Sequence, residues 1–207
     1  MTIVIGLTGG IGTGKSTISR YLEELGAGLI DADKVGHEAL KPGTPAWQDV
    51  VDTFGREVVS ASGEIDRRKL GQIVFGDSLA REKLNRIMWS RIWEMIEARI
   101  DEFGRKNTEV VVVEAFGLVE AGWNRLVDQV WVTVASEKAV LERLKKQRQM
   151  SEAEILSRMK SQLSPEERAK NADVVIQNEG DPGEVRAKVK EHWARLPHNK
   201  SDTNPRG

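Results

Sequence analysis

A chain of 207 residues carries 31 lysines and arginines against 32 aspartates and glutamates, for a net charge of −1. That length gives one ordinary domain, or one core with an insertion, and the balanced charge removes any global electrostatic case for binding nucleic acid or an anionic membrane. No cysteine is present, so disulfides, zinc–thiolate sites and thiol catalysis are excluded.

The first predicted element is a buried strand near residues 2–7, centred on Ile3-Val4-Ile5-Gly6-Leu7. Directly after it comes Gly9-Gly10-Ile11-Gly12-Thr13-Gly14-Lys15-Ser16, the phosphate-binding pattern Gly-x4-Gly-Lys-Ser. A helix over 15–25 follows, stopped by Gly26. Strand, glycine loop and helix in that order are what the motif requires. The alternative, a plain glycine turn before an ordinary helix, leaves that order unexplained. Glycines let backbone N–H groups turn toward a polyphosphate, and the helix N-terminus adds partial positive charge. Residues Gly10, Ile11, Gly12, Thr13, Gly14, Lys15, Ser16 and Thr17 are therefore the candidate ATP contacts. Lys15 is placed to reach the β- and γ-phosphates, and Ser16 to offer its hydroxyl to Mg²⁺.

A second strand over 28–31 ends in Ile30-Asp31-Ala32-Asp33. Carboxylates at the carboxyl end of a strand neighbouring the loop are candidates to orient an attacking hydroxyl. Asp33 is the first choice for that role, and Asp31 is a candidate to act on the metal through a bound water. The competing reading makes Asp33 the cap of the next helix. Helical patterns follow over 33–40, 45–54, 66–74 and 78–104, with no convincing strand between 34 and 104. Trp89 and Trp93 are spaced i, i+4 and share a helix face, either as packing surface or as a stacking surface for a ligand. Further strands are expected over 109–114, 129–134 and 173–176, and helices over 137–147, 151–161, 164–170 and 182–195. Glu114, ending its strand, is either an acidic group near Mg²⁺ or a solvated loop residue. The three histidines, His37, His192 and His198, are too scattered for a metal site. The alternation predicts an α/β fold, a parallel five-stranded sheet with helices on both faces. No apolar stretch reaches the length of a membrane span, and a cytoplasmic protein is expected.

Taken together, these blocks resemble the dephospho-CoA kinases. The resemblance begins with Gly6-Leu-Thr-Gly-Gly-Ile-Gly-Thr-Gly-Lys-Ser-Thr17 and Ile30-Asp-Ala-Asp33. It continues through Pro42-Gly-Thr-Pro-Ala46, Phe54-Gly55, Gly63-Glu-Ile-Asp-Arg-Arg-Lys-Leu70 and Val74-Phe75. It ends with Arg158-Met-Lys-Ser-Gln162 and Ala172-Asp-Val-Val-Ile-Gln-Asn-Glu-Gly180. It implies a P-loop kinase fold: a core of 1–33, 105–136 and 171–196, a helical acceptor domain of 34–104 and a small lid of 137–170. The polar tail 197–207 falls outside these and is expected to be disordered. It implies transfer of the γ-phosphoryl of ATP to the ribose 3′-hydroxyl of dephospho-CoA, with Asp33 as base and Arg143 as a lid arginine. It also implies that Thr8, Asp66 and Arg67 lie toward the acceptor and Asn178 near the ATP base. Asn178 otherwise reads as a turn residue, and Arg143 and Arg148 as solvated charge.

Three segments depart from the family pattern. Trp89-Ser90 stands where His-Pro is usual, and Phe116-Gly117-Leu118 stands where Pro-Leu-Leu is usual. The second lid arginine position holds Gln147, with Arg148 one residue later, about 100° around the helix. These departures keep two other readings open: a related kinase with a different hydroxyl acceptor, or an ATP-binding regulatory protein without transfer activity.

Overall fold

A computed structural model describes residues 2–197. The tail expected over 197–207 lies, from 198 on, outside the described residues. The strands are β1 (Ile3–Gly9), β2 (Gly28–Asp31), β3 (Val110–Glu114), β4 (Gln129–Val134) and β5 (Val174–Gln177). The helices are α1 (Lys15–Glu24), α2 (Ala32–Ala39), α3 (Pro45–Phe54), α4 (Arg67–Gly76), α5 (Ser78–Arg105), α6 (Glu137–Arg148), α7 (Glu152–Lys160), α8 (Pro165–Ala169) and α9 (Pro182–Ala194). Each lies within about two residues of its expected span. Short 3₁₀ turns at Arg56–Val58 and Trp123–Arg125 carry no periodic signal and were not anticipated.

The strands form one sheet in the order β2-β3-β1-β4-β5. β1 pairs in parallel with β3 (Leu7 opposite Glu114) and with β4 (Gly9 opposite Thr133), and β4 pairs in parallel with β5. β1 runs two residues further than expected because Thr8 and Gly9 still pair with β4. Val110 to Val113 are all buried, as are Val130, Trp131 and Val132. Such continuous apolar runs mark strands covered on both faces. One face packs Ile5, Leu7 and Trp131 under Ile18 and Leu22 of α1 and Val185 and Val189 of α9.

The chain divides into two compact units, Met1–Leu29 with Phe103–Gly207, and Ile30–Glu102, and β2 carries the chain from one into the other. The first unit contains α6, α7 and α8 as well as β1, β3, β4 and β5. α7 and α8 each begin with a capping box, Ser151 with Glu154 and Ser164 with Glu167. The second unit has its own core of Val50, Val51, Phe54, Val58, Ile65 and Leu70. There Thr44 caps α3 ahead of Pro45, and the Trp47 indole donates to the Gly63 carbonyl at 2.9 Å. A single antiparallel bridge, Val59 with Ile65, is the extended pairing in a stretch read as all helical.

Candidate active site

The glycine loop lies between β1 and α1. Gly12 and Gly14 have φ of +72° and +96°, in the left-handed region that side chains other than glycine rarely enter. α2, α3, α4, α6, α7, α8 and α9 each have a side-chain oxygen accepting from a first-turn amide. α1 has none: its cap is Gly14, and its first turn holds no acidic residue. No side-chain oxygen occupies that end, and the positive end of the helix dipole faces any anion that binds there. The Lys15 ammonium donates to the Gly9 carbonyl at 3.0 Å, across the mouth of the loop. Thr13 is buried, its hydroxyl 2.6 Å from that of Thr133 and donating to the Gly10 carbonyl at 2.9 Å. Ser16 is exposed in the first turn of α1.

Arg143 and Asn178 form one scaffold around this loop. The Arg143 guanidinium donates to the Gly12 carbonyl, and to the Asn178 carbonyl and side-chain oxygen at 3.2 and 3.3 Å. The Asn178 amide donates to the Thr13 carbonyl at 2.9 Å. Asn178 is buried, so it is a strut of the loop rather than a solvated turn residue. Arg143 is held on the Gly12 and Asn178 carbonyls, whereas Arg148 is exposed at the last position of α6. Glu179 secures α6 from its other end, accepting from the Ser136 amide at 3.0 Å and the Ser136 hydroxyl at 2.6 Å. The hydroxyl's hydrogen bond, above all, holds the Glu179 carboxyl below the usual glutamate range.

That shift sets a pH dependence. A carboxyl lowered in the folded state adds stability above the unfolded value of about 4.3, and the gain is lost as pH falls through the lowered folded value. Glu179→Ala is expected to lower the melting temperature near neutral pH. The gap to the unmodified protein should narrow progressively below about pH 4, as thermal melts across a pH series would read.

Sequence reasoning missed four side chains of the site. Gln162 places its side-chain oxygen on the Ile11 amide at 3.0 Å. Arg168 is buried and donates to Glu120 at 2.7 Å, to the Phe116 carbonyl at 3.0 Å and to the Thr8 hydroxyl at 3.2 Å. Thr133 and Glu120 complete the group. Thr8 is itself fully buried, and its hydroxyl also donates to the Phe116 carbonyl at 3.0 Å. Gln162 stood inside a recognised block, which was a usable signal. Arg168 sits in Pro165-Glu166-Glu167-Arg168, which reads as a solvated helix turn.

Glu114, half-buried at the end of β3, accepts from the Ser19 hydroxyl at 2.5 Å. Among the described residues no three acidic or histidine side chains cluster to hold a metal. Mg²⁺ needs few protein ligands when phosphate oxygens supply the rest, and the hard oxygens of Ser16 and Glu114 fit that requirement.

The remaining expected residues belong to the Ile30–Glu102 unit. Asp31, not Asp33, is the cap of α2: one carboxylate oxygen accepts from the Lys34 amide at 3.1 Å and the other pairs with the Lys34 ammonium at 3.1 Å. The helix starts at Ala32, one residue earlier than the sequence suggests, and that shift moves the cap. Asp33 is exposed in the first turn. Asp66 caps α4, and the Lys69 and Arg68 amides lower its carboxyl. Arg67 is exposed, Trp89 half-buried and Trp93 buried on α5.

A family model described as dephospho-CoA kinase matches residues 3–184. The chain is similar to dephospho-CoA kinases of Geobacter sulfurreducens (42% identical, covering 93% of this chain and 98% of the relative) and Moorella thermoacetica (41%, covering 99% and 97%). Among solved structures it resembles a dephospho-CoA kinase from Campylobacter jejuni, with TM-score 0.70, 25% identity, and 96% and 99% of the two chains covered. A shikimate kinase from Bacteroides thetaiotaomicron, 13% identical at TM-score 0.52 over 92% and 96% of the chains, shares the fold.

Proposed function

The chain belongs to the dephospho-CoA kinase family, and on that premise we propose how its residues transfer the γ-phosphoryl of ATP to the ribose 3′-hydroxyl of dephospho-CoA, releasing CoA and ADP. The observation that carries the nucleotide half is the uncapped α1 N-terminus behind a glycine loop braced by Arg143 and Asn178. Its amides bind the β-phosphate region, and Lys15 swings from the Gly9 carbonyl to neutralise the β- and γ-phosphates. Arg143 and Arg148 serve the phosphates from the lid. Arg143 acts first by fixing the loop's shape, and the exposed Arg148 is free to approach.

The acceptor half rests on Asp33. It follows the carboxyl end of β2 and matches the base position of the family, and because Asp31 already caps α2, capping does not consume the Asp33 carboxylate, which stands exposed two residues beyond Asp31. It accepts the proton of the ribose hydroxyl or orients that hydroxyl for in-line attack. Thr8, Asp66, Arg67 and Trp89 act on the acceptor side. Thr8 and Asp66 act as props, since each is already engaged within its own unit. Mg²⁺ would be held by Ser16 and Glu114, with Asp31 through water, and when bound it supplies charge neutralisation on the transferring phosphoryl group. The same proposal places the enzyme in the cytoplasm. In its support, no helix among the described residues is long and apolar enough to cross a membrane.

The test is a direct product assay. Purified protein with Mg·ATP and dephospho-CoA is expected to form CoA and ADP in equal amounts by mass spectrometry. ADP without CoA would sink the acceptor assignment.

A further inference from the structure

We propose that Phe116 and Arg168 are positioning residues for the loop lysine. The Phe116 ring is approached by two cations: the Lys15 ammonium is 5.4 Å from its centroid and the Arg168 guanidinium carbon 5.0 Å. Both lie within the range at which a cation is drawn to the negative face of an aromatic ring. Arg168 is the fixed member. Only 1% of it is exposed, and its planar fork ties the Phe116 carbonyl, the Thr8 hydroxyl and Glu120 together. Thr8 immediately precedes the glycine loop, so the ring is referenced to the strand that launches that loop.

A buried guanidinium is a costly way to join three elements. Its Nε and the second Glu120 oxygen are both buried without a hydrogen-bond partner. An apolar side chain of similar volume is often as good or better for stability. What an apolar side chain cannot supply is a rigid fork that aims the ring at Lys15. With the ring held, the ammonium stays over the mouth of the loop instead of spreading over many rotamers, and less freedom is lost when phosphate arrives.

The inference rests on the kinase reading only for turnover, so Mg·ATP affinity is measured without acceptor, by calorimetry. Phe116→Leu keeps the buried Arg168–Glu120 pair. It is expected to weaken Mg·ATP binding roughly threefold to thirtyfold, the range of a cation–π contact. It should raise the KM for ATP by a similar factor, leave kcat within about twofold, and leave the melting temperature within a few degrees. Arg168→Lys keeps the charge and loses the fork. It should weaken binding in the unmodified protein and add nothing in the Phe116→Leu background, because both act through one ring. Unchanged Mg·ATP affinity in Phe116→Leu would overturn the proposal. So would an affinity loss that merely follows a fall in melting temperature, or effects of the two substitutions that multiply independently. If Arg168→Lys does not fold, the Phe116→Leu affinity and melting temperature decide alone. Failure to phosphorylate dephospho-CoA would strike the acceptor reading and leave the binding result standing.

Discussion

Gly14→Ala is expected to abolish useful nucleotide binding. A Cβ built on Gly14 would lie 2.0 Å from the Asn178 amide nitrogen, a distance no pair of heavy atoms tolerates. Asn178 has nowhere neutral to go. Its amide holds the Thr13 carbonyl and its oxygen receives Arg143. Displacing it unties the strut from both ends and leaves buried polar groups unpaired, at about 1–3 kcal/mol each. The backbone at φ +96° adds strain of about 1–2 kcal/mol for any residue with a Cβ. Together these reach the scale of a hundredfold or greater loss of Mg·ATP affinity. Gly26→Ala is the control: its φ is +102°, but nothing lies within 4 Å of an added Cβ. It should show the backbone strain without the loss of binding. Near-normal affinity in Gly14→Ala would mean that Asn178 is not a strut of the loop.

Asp33→Asn is expected to lower kcat by about 10²–10⁴, the usual contribution of a positioned general base, while Mg·ATP affinity changes by no more than about twofold. Asparagine keeps the shape and the hydrogen-bonding reach of the side chain but cannot take a proton at neutral pH. Asp31→Asn separates this effect from helix capping, because asparagine caps a helix as well as aspartate does. That variant should retain α2, and because Asp31 reaches the metal only through water, any loss of turnover should be recovered at raised Mg²⁺, whereas the loss in Asp33→Asn should not. Equal losses of turnover and nucleotide affinity in Asp33→Asn would count against a base and for a residue that merely shapes the site.

Much of this was legible in the sequence because the signals were local. The phosphate loop is a contiguous motif between a strand and a helix, and no distant contact is needed to read it. The Val-rich strands and the periodic helices fall where short-range pattern places them. What stayed hidden depends on partners far along the chain. Arg168 is buried because Thr8, 160 residues away, and Phe116, 52 residues away, close around it. Asn178 matters because the Thr13 carbonyl, 165 residues away, needs a donor. The swap between Asp31 and Asp33 has a smaller cause. Two acidic residues stand two positions apart, and moving the helix start by one residue decides which of them is the cap.

The open end of α1 has a consequence for the lifetime of the molecule. Every other cap named above is written into the chain, whereas α1 has no side-chain cap, and on the proposed reading the bound nucleotide supplies it. A ligand that binds the folded chain and not the unfolded one deepens the folded state, by about 2.7 kcal/mol at a hundredfold excess over its dissociation constant. Proteases act on the transiently opened form, and its population falls by the same factor. Limited proteolysis of the purified protein is therefore expected to slow in saturating nucleotide relative to the ligand-free protein.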